Sequence, residues 1–277
     1  MSKSRYRQAA KRCFIINKTV KGAFLIALGF LTRIPVAFVT SASVRQKSDS
    51  LLFYPLVGGI IGVLVLCLIL LFDALETSVG GHFSPMFYGV LGVAFWVWLT
   101  GALHLDGLAD CADAWVGGRD RASTLRIMKD PSAGPIAVVV LVLVLLMKAV
   151  LLAELIRLSL TLELVFVPVI ARAYVLVLFM TTTYANPGGL GQVYQVGLNE
   201  KQRAYRYRCY ALIATTLFGF IVLGWNLIWL LVASALVAFW LRRSTIGRLG
   251  GFTGDVAGAM VELIELTQCL VLLVLYG

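Results

Sequence analysis

The chain has 277 residues, 60% of them hydrophobic and 14% charged, with a formal net charge of +10 and a mean hydropathy of +0.90. That balance excludes an ordinary soluble domain, in which about a quarter of the residues are charged, and predicts an all-α, polytopic integral membrane bundle. Five scattered cysteines, an odd number with no C-x-x-C pair, support neither a disulfide framework nor a zinc site.

The charged residues ahead of the first apolar run are all cationic: Lys3, Arg5, Arg7, Lys11, Arg12, Lys18 and Lys21. No small-residue cleavage site follows a short apolar core, so residues 1–21 read as a retained, basic, cytoplasmic segment. Residues 22–277 read as a single membrane catalytic domain. Apolar runs near the ~20 residues that cross a bilayer fall at 51–72, 86–105, 134–156, 162–183 and 256–276. A longer run, 209–241, divides at Gly224-Trp225-Asn226. With residues 22–39, this gives seven or eight membrane segments. Basic clusters at Arg45 and Lys47, 119–129, 201–208 and 242–248 are separated by even numbers of crossings, as the excess of cations in cytoplasmic loops requires. One crossing by residues 22–39 would break that parity. This first segment, interrupted at Arg33-Ile34-Pro35, is therefore expected to be re-entrant or interfacial.

Directly after the 86–105 run comes His104-Leu105-Asp106-Gly107-Leu108-Ala109-Asp110-Cys111-Ala112-Asp113. On a helix, the i, i+4, i+7 spacing of Asp106, Asp110 and Asp113 confines the three acids to a face within about 60°. Three like charges on one face need a cation. A neighbouring Arg or Lys could supply it, and so could a divalent metal. Mg²⁺ is favoured, since it takes one or two carboxylates, keeps several waters and bridges to phosphate oxygens. The motif then reads as a holder for a metal-bound diphosphate at the membrane surface, with His104 relaying a proton or holding a phosphate oxygen. The bland alternative, a solvated acidic helix with surface ion pairs, fits poorly with acids set so close to a low-dielectric boundary.

Further along, Arg126 and Lys129 are i, i+3 neighbours on a short helix starting near Ser123, suited with Asp130 to substrate binding. For Arg119 and Arg121, topology suffices. The stretch Gly250-Gly251-Phe252-Thr253-Gly254-Asp255 precedes an apolar helix. Gly251, Thr253 and Gly254 could present backbone N–H groups to a phosphate, while Asp255 joins Asp106, Asp110 and Asp113 as a metal ligand. Alternatively, Thr253 or Asp255 is simply the helix N-cap. Glu262 is an intramembrane carboxylate and so a binding candidate. Arg33, Lys148 and Arg172 lie in apolar segments and need polar partners, with Glu154, Glu262 or a bound phosphate available. A Lys148–Glu154 pair is the plainest structural choice.

These residues resemble the cobalamin 5′-phosphate synthase family, also called adenosylcobinamide-GDP ribazoletransferase. The matching stretches are Phe30-Leu31-Thr32-Arg33-Ile34-Pro35-Val36, Tyr54-Pro55-Leu56-Val57-Gly58, Leu103 to Asp110, Ile127-Met128-Lys129-Asp130, and Gly250 to Asp255 with Gly258, Ala259 and Glu262. The resemblance implies transfer of the adenosylcobinamide-phosphoryl group from adenosylcobinamide-GDP to α-ribazole or its 5′-phosphate, with Mg²⁺ and release of GMP. It implies that Asp106, Asp110 and Asp113, with Asp255, hold Mg²⁺ on the diphosphate. Lys129, Arg33 or Arg172 would offset charge on the leaving GMP, and Asp113 or His104 would serve as base. The chain departs from the family pattern at Pro131-Ser132-Ala133 and at Tyr184-Ala185-Asn186, where arginines are expected. Such an enzyme would sit in the cytoplasmic membrane with its site facing the cytoplasm. It would contact lipid but no nucleic acid, and self-association into a homo-oligomer is left open. Two other functions are weighed: a CDP-alcohol phosphotransferase-like enzyme, and an ion-coupled transporter using Asp106, Asp110 and Glu262. Trp96, Trp98 and Trp115 are either corrinoid-facing aromatics or interfacial anchors.

Overall fold

The computed structural model describes residues 19–36, 42–186, 188–189, 191–192, 194 and 201–277. Most of the basic segment 1–21, and residues 37–39 of the first apolar run, lie outside the described residues. The described chain is almost entirely helical: α1 (Thr19–Leu31), α2 (Val44–Ser50), α3 (Tyr54–Val79), α4 (Pro85–Thr100), α5 (Leu103–Gly117), α6 (Arg121–Ile127), α7 (Pro135–Arg157), α8 (Thr161–Thr181), α9 (Lys201–Leu223), α10 (Asn226–Leu249) and α11 (Gly254–Tyr276). Six helical stretches are long and apolar enough to cross a membrane: α3 with the helical turns before it, α7, α8, α9 (from Ala204), α10 and α11. The pair α4 and α5 qualifies only jointly. The turn expected at Gly224-Trp225-Asn226 divides α9 from α10, with Gly224 at φ 57°.

Where a single span over 86–105 was expected, the helix ends at Thr100 and the chain bends by 91° into α5. Gly101 and Ala102 both adopt left-handed backbone, at φ 64° and 57°. Their N–H groups return to the carbonyls of Trp98 and Val97, which satisfies the last turn of α4 and turns the chain aside. α5 leaves the line of α4 at that bend. It lies over the ends of two spans: Gly107 packs on the Asp255 backbone at the start of α11, and Asp113 bonds the first turn of α7.

Small residues let the spans approach closely. A Cβ added at Gly62 would stand 2.6 Å from the Val165 carbonyl oxygen, and Gly58, one turn earlier, abuts the carbonyl of Pro168. The α3–α8 seam is therefore a small-x-x-x-small contact of the kind that replaces hydrophobic drive in lipid. α1 ends at Leu31, just before Arg33-Ile34-Pro35. Both its ends lie at the α5 end of the bundle. Gly22 packs on Gln46 of α2, Phe24 and Phe30 meet Phe53 and Tyr54 at the start of α3, and the Arg33 N–H donates to the Leu99 carbonyl at 2.7 Å. At 13 residues, α1 is too short to cross, in line with the interfacial placement expected for it.

Candidate active site

At the α5 end, Asp106 and Asp255 line a cavity of about 290 Å³. α5 supplies Asp106, exposed, and Asp110, half-buried. α11 supplies Asp255 in its first turn. Burial, and then the charges of Asp255, Asp106 and Asp113, push the Asp110 carboxyl up to about 7. The acids are thus close enough to oppose one another's ionisation, which is the repulsion foreseen from their spacing.

Asp113 stands apart from the other two. Its Oδ2 accepts from the Gly134 N–H at 2.6 Å and its Oδ1 from the Ala137 N–H at 2.9 Å. The α7 N-terminus has no side-chain cap of its own, so Asp113 supplies the acceptor from another helix. The expected four-carboxylate metal set is narrowed accordingly, since both Asp113 oxygens are engaged. Among the described residues, no three acid, His or Cys side chains converge on one point. The chemistry of the donors still suits Mg²⁺, a hard ion that takes one or two carboxylates and fills its shell with water and phosphate oxygens.

The cavity runs from Asp106, Gly254 and Asp255 past Asn186 to Arg172, Val175 and Val261. Two backbone bonds hold the loop before α11 in place: Ala185 N–H to the Phe252 carbonyl at 2.8 Å and Phe252 N–H to the Thr183 carbonyl at 3.0 Å. Gly251 packs on the Thr183 carbonyl. Thr253 is the N-cap, its hydroxyl receiving the Val256 N–H and donating to Asp255 Oδ2 at 3.2 Å. Of the glycine-rich stretch, Gly254 and Asp255 reach the cavity, while Gly251 and Thr253 build its frame.

His104 and Arg172 line the cavity, and both are buried. Arg172 pairs with Glu265, and its other terminal nitrogen lies 3.4 Å from His104 Nδ1. A guanidinium only donates, so Nδ1 accepts and Nε2 carries the ring proton. In that tautomer the His104 Nε2–H is a hydrogen-bond donor. Arg172 Nε is buried without a partner.

The expected Lys148–Glu154 pair does not form. Glu154 bonds Arg157 instead. The Lys148 ammonium sits between Glu262 Oε2 at 2.8 Å and Glu265 Oε2 at 2.6 Å, 5.0 Å over the Trp96 ring. Of the partners left open to Lys148, it takes Glu262, while Glu265, also more than a hundred residues away on α11, is the one the sequence did not signal. Glu262 is consumed by this ion pair and does not face the cavity. At ~1.5 Å per residue it lies about 12 Å into α11, near the bilayer centre, where an unpaired charge is costly.

The remaining candidates lie elsewhere. Arg126, Lys129 and Asp130 line a separate, open groove with Ala122, Leu125 and Pro131. Arg33 is exposed, its stem packed on Gly101 at the α4–α5 corner. Sequence reasoning missed the aromatic wall of Phe30, Tyr54, Phe179 and Tyr194, because aromatic residues in apolar runs look like ordinary lipid-facing ones. Of the tryptophans, Trp96 lies under Lys148, Trp98 is exposed, and Trp115 donates to Ser244; none lines the cavity.

Carboxylates at a largely apolar cavity with buried His104 and Arg172 in its wall, at one end of a bundle of membrane-crossing helices, define an integral membrane enzyme. The chain belongs to the cobalamin-5-phosphate synthase family, whose model matches residues 23–274. An adenosylcobinamide-GDP ribazoletransferase of Pseudomonas putida (strain W619) is 46% identical over 248 residues, covering 89% of this chain and 96% of that protein. Another, of Pseudomonas syringae pv. syringae (strain B728a), is 44% identical over 254 residues, or 91% and 99% of the two chains. A third, of Stutzerimonas stutzeri (strain A1501), is 43% identical over 242 residues, 87% and 93%. No solved structure matches this chain. Family membership sets aside the CDP-alcohol phosphotransferase reading. The transporter reading loses its midplane ion site, since Glu262 is neutralised by Lys148.

Proposed function

We propose that this protein is a transferase that joins α-ribazole, or its 5′-phosphate, to the adenosylcobinamide-phosphoryl group of adenosylcobinamide-GDP, releasing GMP in the last stage of cobalamin assembly. The observation that carries this reading, beside the family match, is the cavity that opens onto Asp106 and Asp255 and has Arg172 and His104 in its wall.

In this reading, Asp106 and Asp110 with Asp255 hold Mg²⁺, which when bound neutralises charge on the diphosphate. A ribose ring hydroxyl of the acceptor attacks the phosphorus on the corrinoid side, since the 5′ oxygen of the 5′-phosphate is already esterified. An O–P bond forms, the P–O bond to GMP breaks with its electron pair going to GMP, and the hydroxyl proton leaves late to a mouth carboxylate or water. His104 Nε2–H and Arg172 donate to the phosphoryl oxygens, so that positioning and electrostatics supply most of the acceleration. Asp113, held by the N–H groups of Gly134 and Ala137, serves to fix the start of α7.

The basic residues of the α2 and α6 segments, of the 201–208 stretch and of the end of α10 share the α5 end of the bundle. This supports a cytoplasmic-membrane protein whose site faces the cytoplasm. The test follows GMP release from adenosylcobinamide-GDP with α-ribazole and Mg²⁺ by the full chain in lipid. Asp106→Asn and Asp110→Asn should each lower turnover by about 100-fold or more, and EDTA should abolish it. Turnover with CDP-diacylglycerol in place of the corrinoid donor would overturn the reading, and full activity in both variants would remove the metal role.

A further inference from the structure

We infer that the aromatic half of the cavity seats the heterocyclic base of the acceptor, and that Phe30, Tyr54, Phe179 and Tyr194 determine which bases the protein accepts. The inference rests on the function proposed above and assigns one substrate to one part of the site.

The cavity has two chemically different ends. Asp106 and Asp255 stand at the mouth. Four rings from four parts of the chain form a wall: Phe30 from α1, Tyr54 from the start of α3, Phe179 near the end of α8, and Tyr194 from the segment after it. Phe30 stacks on Tyr54 at 6.4 Å between centroids and meets Tyr194 at 6.3 Å, while Phe179 meets Tyr194 at 5.9 Å. A flat π-system slots against such a wall by stacking, whatever the pattern of its edges.

Size and edge chemistry choose the occupant. At about 290 Å³ the cavity is near the ~300 Å³ lower bound for small-molecule pockets. It fits a bicyclic base with a ribose and excludes a corrin ring, which must stay outside the mouth. Guanine from the donor would bring an N1–H, an exocyclic amine and a carbonyl that need buried partners. Within the four-ring wall the only polar atoms are tyrosine hydroxyls, and these are engaged, Tyr54 with Tyr194 and Tyr194 also with Ser50; the polar lining Tyr184, Asn186, His104 and Arg172 is outside that wall. A base with apolar edges loses nothing there. With its base against the aromatic wall, the acceptor's ribose lies toward Asp106 and Asp255, where its attacking ring hydroxyl must meet the donor phosphorus.

The test measures the KM values of acceptor and donor separately, in detergent-solubilised full chain. Val175→Phe fills the cavity, and Phe179→Leu removes a ring from its wall. Each should raise the acceptor KM by about ten-fold while leaving the adenosylcobinamide-GDP KM within about two-fold. Phe179→Leu should also change the preference between benzimidazole- and purine-based α-ribosides. An unchanged acceptor KM, or a rise confined to the donor KM, overturns the inference while leaving the proposed function standing. Absence of wild-type turnover fails both. Should either variant misfold, hydrogen exchange on the unaltered protein decides. Added α-ribazole should slow exchange in residues 19–31 and 182–194 and added GMP should not; the reverse pattern refutes the assignment.

Discussion

Two aspartates on adjacent turns of α5 behave differently because of what faces them. Asp113 meets the open N-terminus of α7 and is held by two N–H donors. Asp110 is half-buried and faces other carboxylates, and burial, then their charge, pushes it up to about 7. A carboxyl raised above its unfolded value of ~3.9 binds more protons in the folded state, so folding stability falls as pH rises between the two values. In EDTA, the wild-type melting temperature should therefore decline between pH 5 and about 7.5 relative to Asp110→Asn. Mg²⁺ at pH 7.5 should restore the wild type and leave the variant unmoved. Parallel melting curves for the two proteins would mean that Asp110 carries no such penalty. The acids' shared face was legible because helical period is a local property. The capping role of Asp113 was not, since its partners lie 21 and 24 residues away in a loop whose course the sequence does not encode locally.

The corner between α4 and α5 decides where the acid face points. Apolar residues continue through Leu103 and Leu105, and no proline marks the break, so pattern alone extended the span to residue 105. Two consecutive left-handed residues turn the chain instead. By contrast, Pro35 advertised the end of α1, and Gly224-Trp225-Asn226 advertised the α9–α10 turn. Gly101 tolerates its φ, and a Cβ there would crowd the Arg33 stem at 3.0 Å. Ala102 holds its φ at a steric cost of roughly 1–2 kcal/mol. Gly101→Ala should therefore lower stability by about 1–2 kcal/mol, whereas Ala102→Gly should raise it by up to about 1 kcal/mol. Denaturation of the two variants in detergent checks the pair. Equal effects of the same sign would contradict the backbone geometry as the cause.

At the scale of the molecule, the N-termini of α3, α7, α9 and α11 share one end with α5, α6 and the loops at 182–194 and 250–253. Single cysteines placed at Ser132 and Thr183 in a cysteine-free background should be blocked by a membrane-impermeant maleimide only in inverted vesicles, and one at Ser78 only in right-side-out vesicles. Labelling of Ser132 and Ser78 positions from the same side would break this topology. That the chain crosses the membrane several times was readable because hydropathy is a sum over many residues. The contacts that join distant helices were not. The buried lattice of Lys148, Glu262, Glu265 and Arg172 illustrates this and has a consequence for biogenesis. Its cations ride on α7 and α8, while both of its anions arrive on α11, which is made after them. Until the ribosome finishes that helix, two positive charges wait in a half-built bundle without counterions, a state costly enough in lipid to require shelter. A nascent chain stopped before residue 254 should accordingly be a substrate for membrane quality control, and completion of the C-terminal helix is the step that releases it.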